Sequence, residues 1–179
     1  MIKKTIILIT IIFVILVTTY ALKLLFFKPF SFNHFLTRQL VYDALESPEY
    51  LTYIGVLEKY GYRSYNGKLS DYSLEKDIKD LKKLKKEYKI LNAYENEELS
   101  TEELTSKKIS LFQMRNEIDQ RTKYPFHSYP LIQMNGLHTS ILEFMTDIHP
   151  IKDEKDAKYY LSRLEMIPLV FSQILEKME

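Results

Sequence analysis

Four histidines, His34, His127, His138 and His149, are the residues best suited to metal ligation or proton transfer. A helical zinc-peptidase site needs two histidines four residues apart, so that both imidazoles face one metal. It also needs a glutamate beside the first as general base. No such pair occurs in this sequence. His138 and Glu143 have the wrong spacing to stack on one helix face. Asp147 and His149 would share a metal only if their loop curled. The simpler reading is a pair of exposed loop residues bonded to backbone. Nucleophilic chemistry has no better footing. There is no cysteine, which removes thiolate zinc sites, a cysteine nucleophile, disulfides and a lipidated cysteine. There is no Gly-x-Ser-x-Gly elbow, and Ser128 and Ser140 are near histidines only by spacing that chance supplies. Asn66-Gly67-Lys68 is an ordinary turn and not a phosphate loop. Catalytic, cofactor-binding and metal-ligating residues are therefore none, and whether the protein is an enzyme stays open.

One local pattern could line a cleft. Phe126, His127 and Tyr129 lie between Pro125 and Pro130, with Tyr124 just before and Gln133 and Asn135 just after. These six, Tyr124, Phe126, His127, Tyr129, Gln133 and Asn135, are the candidate cleft-lining residues. Aromatics held between prolines also pin helices together as a core corner, and that reading is preferred.

The net charge is +1, so no global field recruits nucleic acid or acidic partners. The lysines between residues 79 and 89 are interleaved with Asp80 and Glu87 and flank an apolar stripe. They read as a solvated helix face, and no nucleic-acid partner is expected.

What must position any site begins with a tether. Lys3 and Lys4 precede an uncharged, strongly apolar run over residues 5–22. As a helix it spans about 27 Å, close to a hydrocarbon core. Apolar character resumes after Lys23 and stops at Lys28-Pro29, and Lys23 can snorkel to the headgroups. The long core and the weak small-residue match at Thr19-Tyr20-Ala21 favour an uncleaved signal anchor. Residues 1–30 are thus read as the anchor, in contact with membrane lipid through residues 5–27. The bulk of the chain is placed outside the cytoplasm as a single-pass protein. Secretion after signal cleavage is the alternative.

Residues 31–179 read as helical. Glycine is scarce, at four, and Lys/Glu/Leu stretches are long. Near-helical apolar spacing predicts a helix over 32–45. Ser47 and Pro48 start a short one that Gly55 ends. A Tyr-rich connector leads to a long helix from Ser73, with Leu74, Ile78, Leu81, Leu84, Tyr88 and Leu91 as its apolar stripe. Ser100-Thr101-Glu102-Glu103 fits a capping box opening a helix to about residue 123. Residues 137–147 form a further helix closed by His149-Pro150. The last helix starts near Asp153, with Ala157, Leu161, Leu164, Pro168, Phe171, Leu175 and Met178 as its stripe and a kink at Pro168. The expected fold is all-α: one transmembrane helix followed by an irregular multi-helix array.

Several segments resemble, in order and spacing, the N-terminal half of the bacterial domain-of-unknown-function 885 family. They are Ser47-Pro48-Glu49 with Thr52 and Gly55, Leu69-Ser70-Asp71-Tyr72-Ser73, and Leu99-Ser100. Downstream are Tyr129-Pro130 with Gln133-Met134-Asn135-Gly136, and Phe144 with His149-Pro150. Asp156-Ala157 with Tyr160-Leu161, and Arg163-Leu164 with Pro168, complete the pattern. The resemblance covers about residues 32–179. Members of that family are similar to helical zinc metallopeptidases whose His-Glu-x-x-His lies in a C-terminal half that has no counterpart in these residues. The resemblance therefore implies zinc only for full-length relatives, and none held by this chain. It implies a non-catalytic lobe, inactive alone, forming one wall of a substrate cleft, and a chain truncated relative to its relatives. The alternative is a short membrane-tethered module that binds a protein or peptide partner through Leu164, Phe171 and Leu175, the surface relatives would use to pack the missing C-terminal half.

Overall fold

The computed structural model describes residues 2–125, 131–134 and 136–178, apart from the side chains of Ile2, Lys4 and Leu8. Among the described residues there are seven α-helices and no strand. They are α1 (Ile2–Phe26), α2 (Phe32–Glu46), α3 (Pro48–Ile54), α4 (Leu74–Asn92), α5 (Thr101–Lys123), α6 (Leu137–Glu143) and α7 (Glu154–Glu176). The all-α expectation holds.

Local chemistry sets most helix ends. The Ser47 hydroxyl accepts from the Tyr50 N–H at 3.2 Å, and Pro48 occupies the first helical position of α3. Gly55 closes α3 in the left-handed region at φ 59°, a conformation that disfavours a side chain. At α5 the capping box is reciprocal: Ser100 N–H donates to Glu103 Oε2 at 3.0 Å, and Glu103 N–H donates to Ser100 Oγ at 3.2 Å. Asp153 opens α7 by accepting from Asp156 N–H at 2.9 Å.

The helix expected over 137–147 is instead α6 followed by a π-helical turn, Phe144–Ile148. Phe144 and Met145 of this turn both lie in the core, and His149, which follows it, is buried.

The chain divides into two compact units. Unit 1 comprises Met1–Leu40 and Leu84–Asn116. Its core is Phe32, Phe35, Leu91 and Tyr94, with Leu36, Ile90, Leu99, Leu111 and Met114 packed around it. The Tyr94 ring meets Phe32 edge-on at 5.9 Å and Phe35 at 6.0 Å. Helix α1 belongs to this unit. Its Thr5–Phe26 stretch is long and apolar enough to cross a membrane and is not buried within the protein. A membrane anchor and a signal sequence both have that character.

Unit 2 comprises Val41–Lys83 and Glu117–Glu179. Its core is Leu69, Ile141, Phe144, Met145, Val170 and Ile174, with Tyr72, Leu137 and Ile167 against it.

Two helix faces differ from expectation. On α4, Leu91 is fully buried, but Leu74 and Ile78 lie on the surface. On α7, Leu161, Leu164 and Leu175 of the stripe are exposed, as is Met178 just beyond the helix. The buried face is one residue round, at Asp156, Arg163, Val170 and Ile174. The wrong face attracted the reading because the true one carries two charges.

Candidate functional site

Those two charges belong to a buried polar cluster in unit 2. Arg163 is completely inaccessible. The register of α7 carries it inward with Val170, and its guanidinium stacks over the Phe144 ring at 4.7 Å. Nε donates to the Lys68 carbonyl at 2.8 Å. One terminal nitrogen lies 2.7 Å from His149 Nδ1. The other donates to Thr52 Oγ1 at 2.8 Å and to the Tyr65 carbonyl at 3.2 Å. One side chain thereby ties α7 to α3, to the 64–69 connector and to the residue that follows the π-turn. Among the described residues no carboxylate touches it directly. Burial lowers its pKa to about 10, which leaves it charged at neutral pH, while the more distant Glu49 works in the opposite direction.

Because Arg163 donates, His149 Nδ1 must accept, so the imidazole is neutral at that nitrogen. Its Nε2 faces the Asp156 carbonyl at 3.5 Å. Burial and then the adjacent Arg163 charge lower the His149 pKa, and the Asp156 backbone and carboxylate oppose that shift. His149 is 7% exposed, which corrects its reading as a surface loop residue. Asp147 stays on the surface, so the two do not converge on a metal.

A second layer encloses the first. Thr52 Oγ1 and Asn66 Oδ1 lie 2.8 Å apart, and Asn66 Nδ2 donates to Glu58 Oε1 at 2.9 Å. Arg63 bridges Asp156 at 3.0 Å and Asp153 at 2.9 Å. Arg63 and the backbone N–H of Asp156 hold Asp153 below the usual carboxylate range, the backbone bond being the larger influence. Gly67 sits under Tyr159: a Cβ there would come within 2.9 Å of that ring. This absence of a side chain lets the Gly67 carbonyl accept from Ser162 Oγ at 3.0 Å.

What the cluster can do chemically is limited by its own saturation. Apart from the Tyr65 hydroxyl, which is buried without a partner, its donors and acceptors are spent on one another and on backbone, and it has no exposed nucleophile. It is an organising centre for the fold.

Of the six candidate cleft-lining residues, Tyr124 and Gln133 are on the surface. Phe126, His127, Tyr129 and Asn135 lie outside the described residues, as does Ser128. Gly136 beside them is fixed by space, since a Cβ would fall 2.6 Å from both the Ile132 carbonyl and the His138 ring. His138, Glu143 and Ser140 are exposed. Among the described residues no group of three His, Asp or Glu side chains is arranged to hold a metal ion.

Sequence reasoning missed the Arg163 cluster as a site, although it quoted Thr52, His149, Asp156 and Arg163. The usable signal was the seven-residue step from Asp156 to Arg163 to Val170, which puts all three on one helix face.

Comparison with known proteins gives a family and no closer relative. A family model described as "Bacterial protein of unknown function (DUF885)" matches residues 48–179. No curated protein and no solved structure matches the chain. The matched stretch contains each segment that meets at Arg163, from Pro48 to α7. The chain belongs to the DUF885 family of bacterial proteins.

Proposed function

We propose that this chain is a membrane-anchored helical scaffold lobe, lying outside the cytoplasm and non-catalytic on its own. Its part corresponds to the N-terminal wall of a metallopeptidase-like cleft. The observation that carries this reading is the Arg163 cluster. Residues that mark the family pattern, Thr52, His149, Asp156 and Arg163, are consumed in holding helices together. They serve shape and not turnover. Catalysis would then require a further half carrying the zinc ligands, on the same polypeptide or another.

Two measurements test this. Full-length chain in detergent micelles, titrated with zinc in a calorimeter, should give no tight stoichiometric binding. A tight one-to-one site would sink the scaffold reading. For location, the absence of cysteine makes single-cysteine labelling clean. Lys86→Cys, at an exposed position, should react with a membrane-impermeant maleimide in intact cells. Labelling only after lysis would place the lobe in the cytoplasm.

A second reading has its own observation. Leu161, Leu164 and Leu175 on α7 are 57%, 40% and 54% exposed, although Phe171 is partly covered. Such a row suits a helical protein or peptide partner. Under this reading the purified chain is soluble and monodisperse in micelles, and Leu164→Glu abolishes capture of a defined partner without altering helicity.

A further inference from the structure

The junction between α1 and the rest of unit 1 is built as a clamp, not as a linker. At the end of α1 the carbonyls of Leu24 and Phe27 are left without helical donors. Arg38, buried on α2, supplies them: one terminal nitrogen donates to Leu24 O at 3.1 Å and to Phe27 O at 2.6 Å. Its other terminal nitrogen pairs with Glu87 at 2.6 Å, so the clamp is anchored in α4. The short segment that follows is equally engaged. Tyr94 OH donates to the Pro29 carbonyl at 2.9 Å, and Lys28 Nζ donates to the Ala93 carbonyl at 2.6 Å. Pro29 itself is fully buried. No spacer separates the apolar helix from the unit 1 core.

Next to this clamp in the chain lie outward aromatics. Phe26, Phe27 and Phe30 are 55%, 64% and 58% exposed. Phe30 stacks on Tyr20 at 5.5 Å with an 8° interplanar angle, and Lys23 Nζ lies 3.8 Å above the same ring. Large exposed aromatics against a cation are poorly placed in water and equally poorly placed in hydrocarbon. Amphipathic aromatic rings and snorkelling lysines concentrate at the boundary between the two.

We propose that Tyr20, Lys23, Phe26, Phe27 and Phe30 form an interfacial collar that seats unit 1 directly on the lipid–water boundary, with α1 locked in place by Arg38. The occupant is the headgroup and upper acyl region of a bilayer. This rests on the anchor reading of α1, and continuity with that helix is what selects lipid as the partner. The collar also explains why an apolar segment ends in a buried polar clamp: the anchor's orientation is transmitted to unit 1 without slack.

The protein has no tryptophan, so single-tryptophan variants report position without background. Full-length Phe30→Trp, Phe27→Trp and Leu16→Trp would be reconstituted into phosphatidylcholine vesicles carrying bromines at shallow or deep acyl positions. Both collar reporters should lose most emission to shallow bromines, and Leu16→Trp to deep ones. Collar reporters unquenched at every depth, with Leu16→Trp quenched by deep bromines, would overturn the collar and leave the anchor standing. Collar reporters quenched only by deep bromines would also overturn it. Leu16→Trp unquenched by any lipid would remove the anchor and the collar together. All three positions are exposed, and circular dichroism of each variant would verify retained helix.

Discussion

Each unit of this molecule buries one arginine, Arg38 and Arg163, and the two are held by different chemistry, Arg38 with its Nε left unpartnered. Arg38 in unit 1 pairs with a buried carboxylate, Glu87, which Gln39 also supports at 2.7 Å. Arg163 in unit 2 has no carboxylate in contact among the described residues and relies on carbonyls, a hydroxyl and a neutral imidazole. An ion pair offsets desolvation by direct Coulomb attraction. A cluster of neutral acceptors offsets it by geometry, through several bonds made at once. The first arrangement ties down the end of one helix. The second organises four segments, and it is hostage to the protonation of His149.

The comparison breaks most violently at Arg163. Arg163→Met removes the donor to each of these acceptors, which stay buried. At about 1–3 kcal/mol for each buried group left unpaired, the loss reaches roughly 4 kcal/mol or more. Hydrogen exchange read by mass spectrometry should then rise across residues 48–69 and 144–176. Protection in residues 24–38 and 84–94 should hold. Uniform loss across both sets would mean the two units open as one, and the contrast drawn above would fail.

Glu87→Ala is the matching break in unit 1. It strands a buried guanidinium that still binds the Leu24 and Phe27 carbonyls. Removing one partner of a buried pair costs about 3 kcal/mol or somewhat more. Exchange should now rise at residues 24–38 and 84–94, sparing the other set. Unchanged protection there would show that the α1 carbonyls alone satisfy Arg38.

How much of this was readable beforehand follows from what kind of force sets each feature. Helix ends were legible because Ser47-Pro48, Gly55 and Ser100-x-x-Glu103 act on their own neighbours. The all-α class was legible from composition and period. On α4 the later part of the stripe, Leu81, Leu84, Tyr88 and Leu91, was legible, but the inward Glu87 and the buried face of α7 were not, because periodicity scores charged residues as outward. Glu87, Asp156 and Arg163 point inward, held by partners distant in sequence: ion pairs for the first two and neutral acceptors for Arg163. His149 was misread for the same reason: nothing within a few residues of it predicts that Arg163 will supply its hydrogen bond. The π-turn that places it carries no cap or breaker in the sequence to announce it, and Phe144 and Met145, both in the core, fit an ordinary helix stripe equally well.

A gentler perturbation sharpens the contrast through pH. The folded pKa of His149 lies below its unfolded value, owing to burial and then to Arg163, while Asp156 pulls it back and Tyr160 packs edge-on at 5.2 Å. The unfolded chain therefore binds more protons than the folded one once pH falls below about 6.5, and stability rises with pH there. The stabilising contribution is complete above the unfolded value and is lost as pH drops toward the folded one. Denaturant midpoints of unit 2 should fall between neutral pH and about pH 5 more than those of unit 1. His149→Asn should flatten that difference. An equal fall in both units, or a slope that survives the substitution, would show that His149 is not the titrating group.

The smallest effect compares two helix starts. Ser47 opens α3 in unit 2 with one bond, whereas Ser100 opens α5 in unit 1 with a reciprocal pair through Glu103. Replacing an N-cap serine by alanine costs about 1 kcal/mol, and a reciprocal box orphans a second donor only when its glutamate goes as well. Ser100→Ala should cost at least as much as Ser47→Ala, because it also loosens the bond to the Glu103 carboxylate. Glu103→Ala should add a separate loss, which includes the bond that Glu103 Oε1 accepts from Asn33 at 3.1 Å. The double variant Ser100→Ala/Glu103→Ala should then fall short of the sum of the two single losses, since each bond of the box helps hold the other in register. Strict additivity in a denaturant-based double-mutant cycle would show that the two bonds form independently.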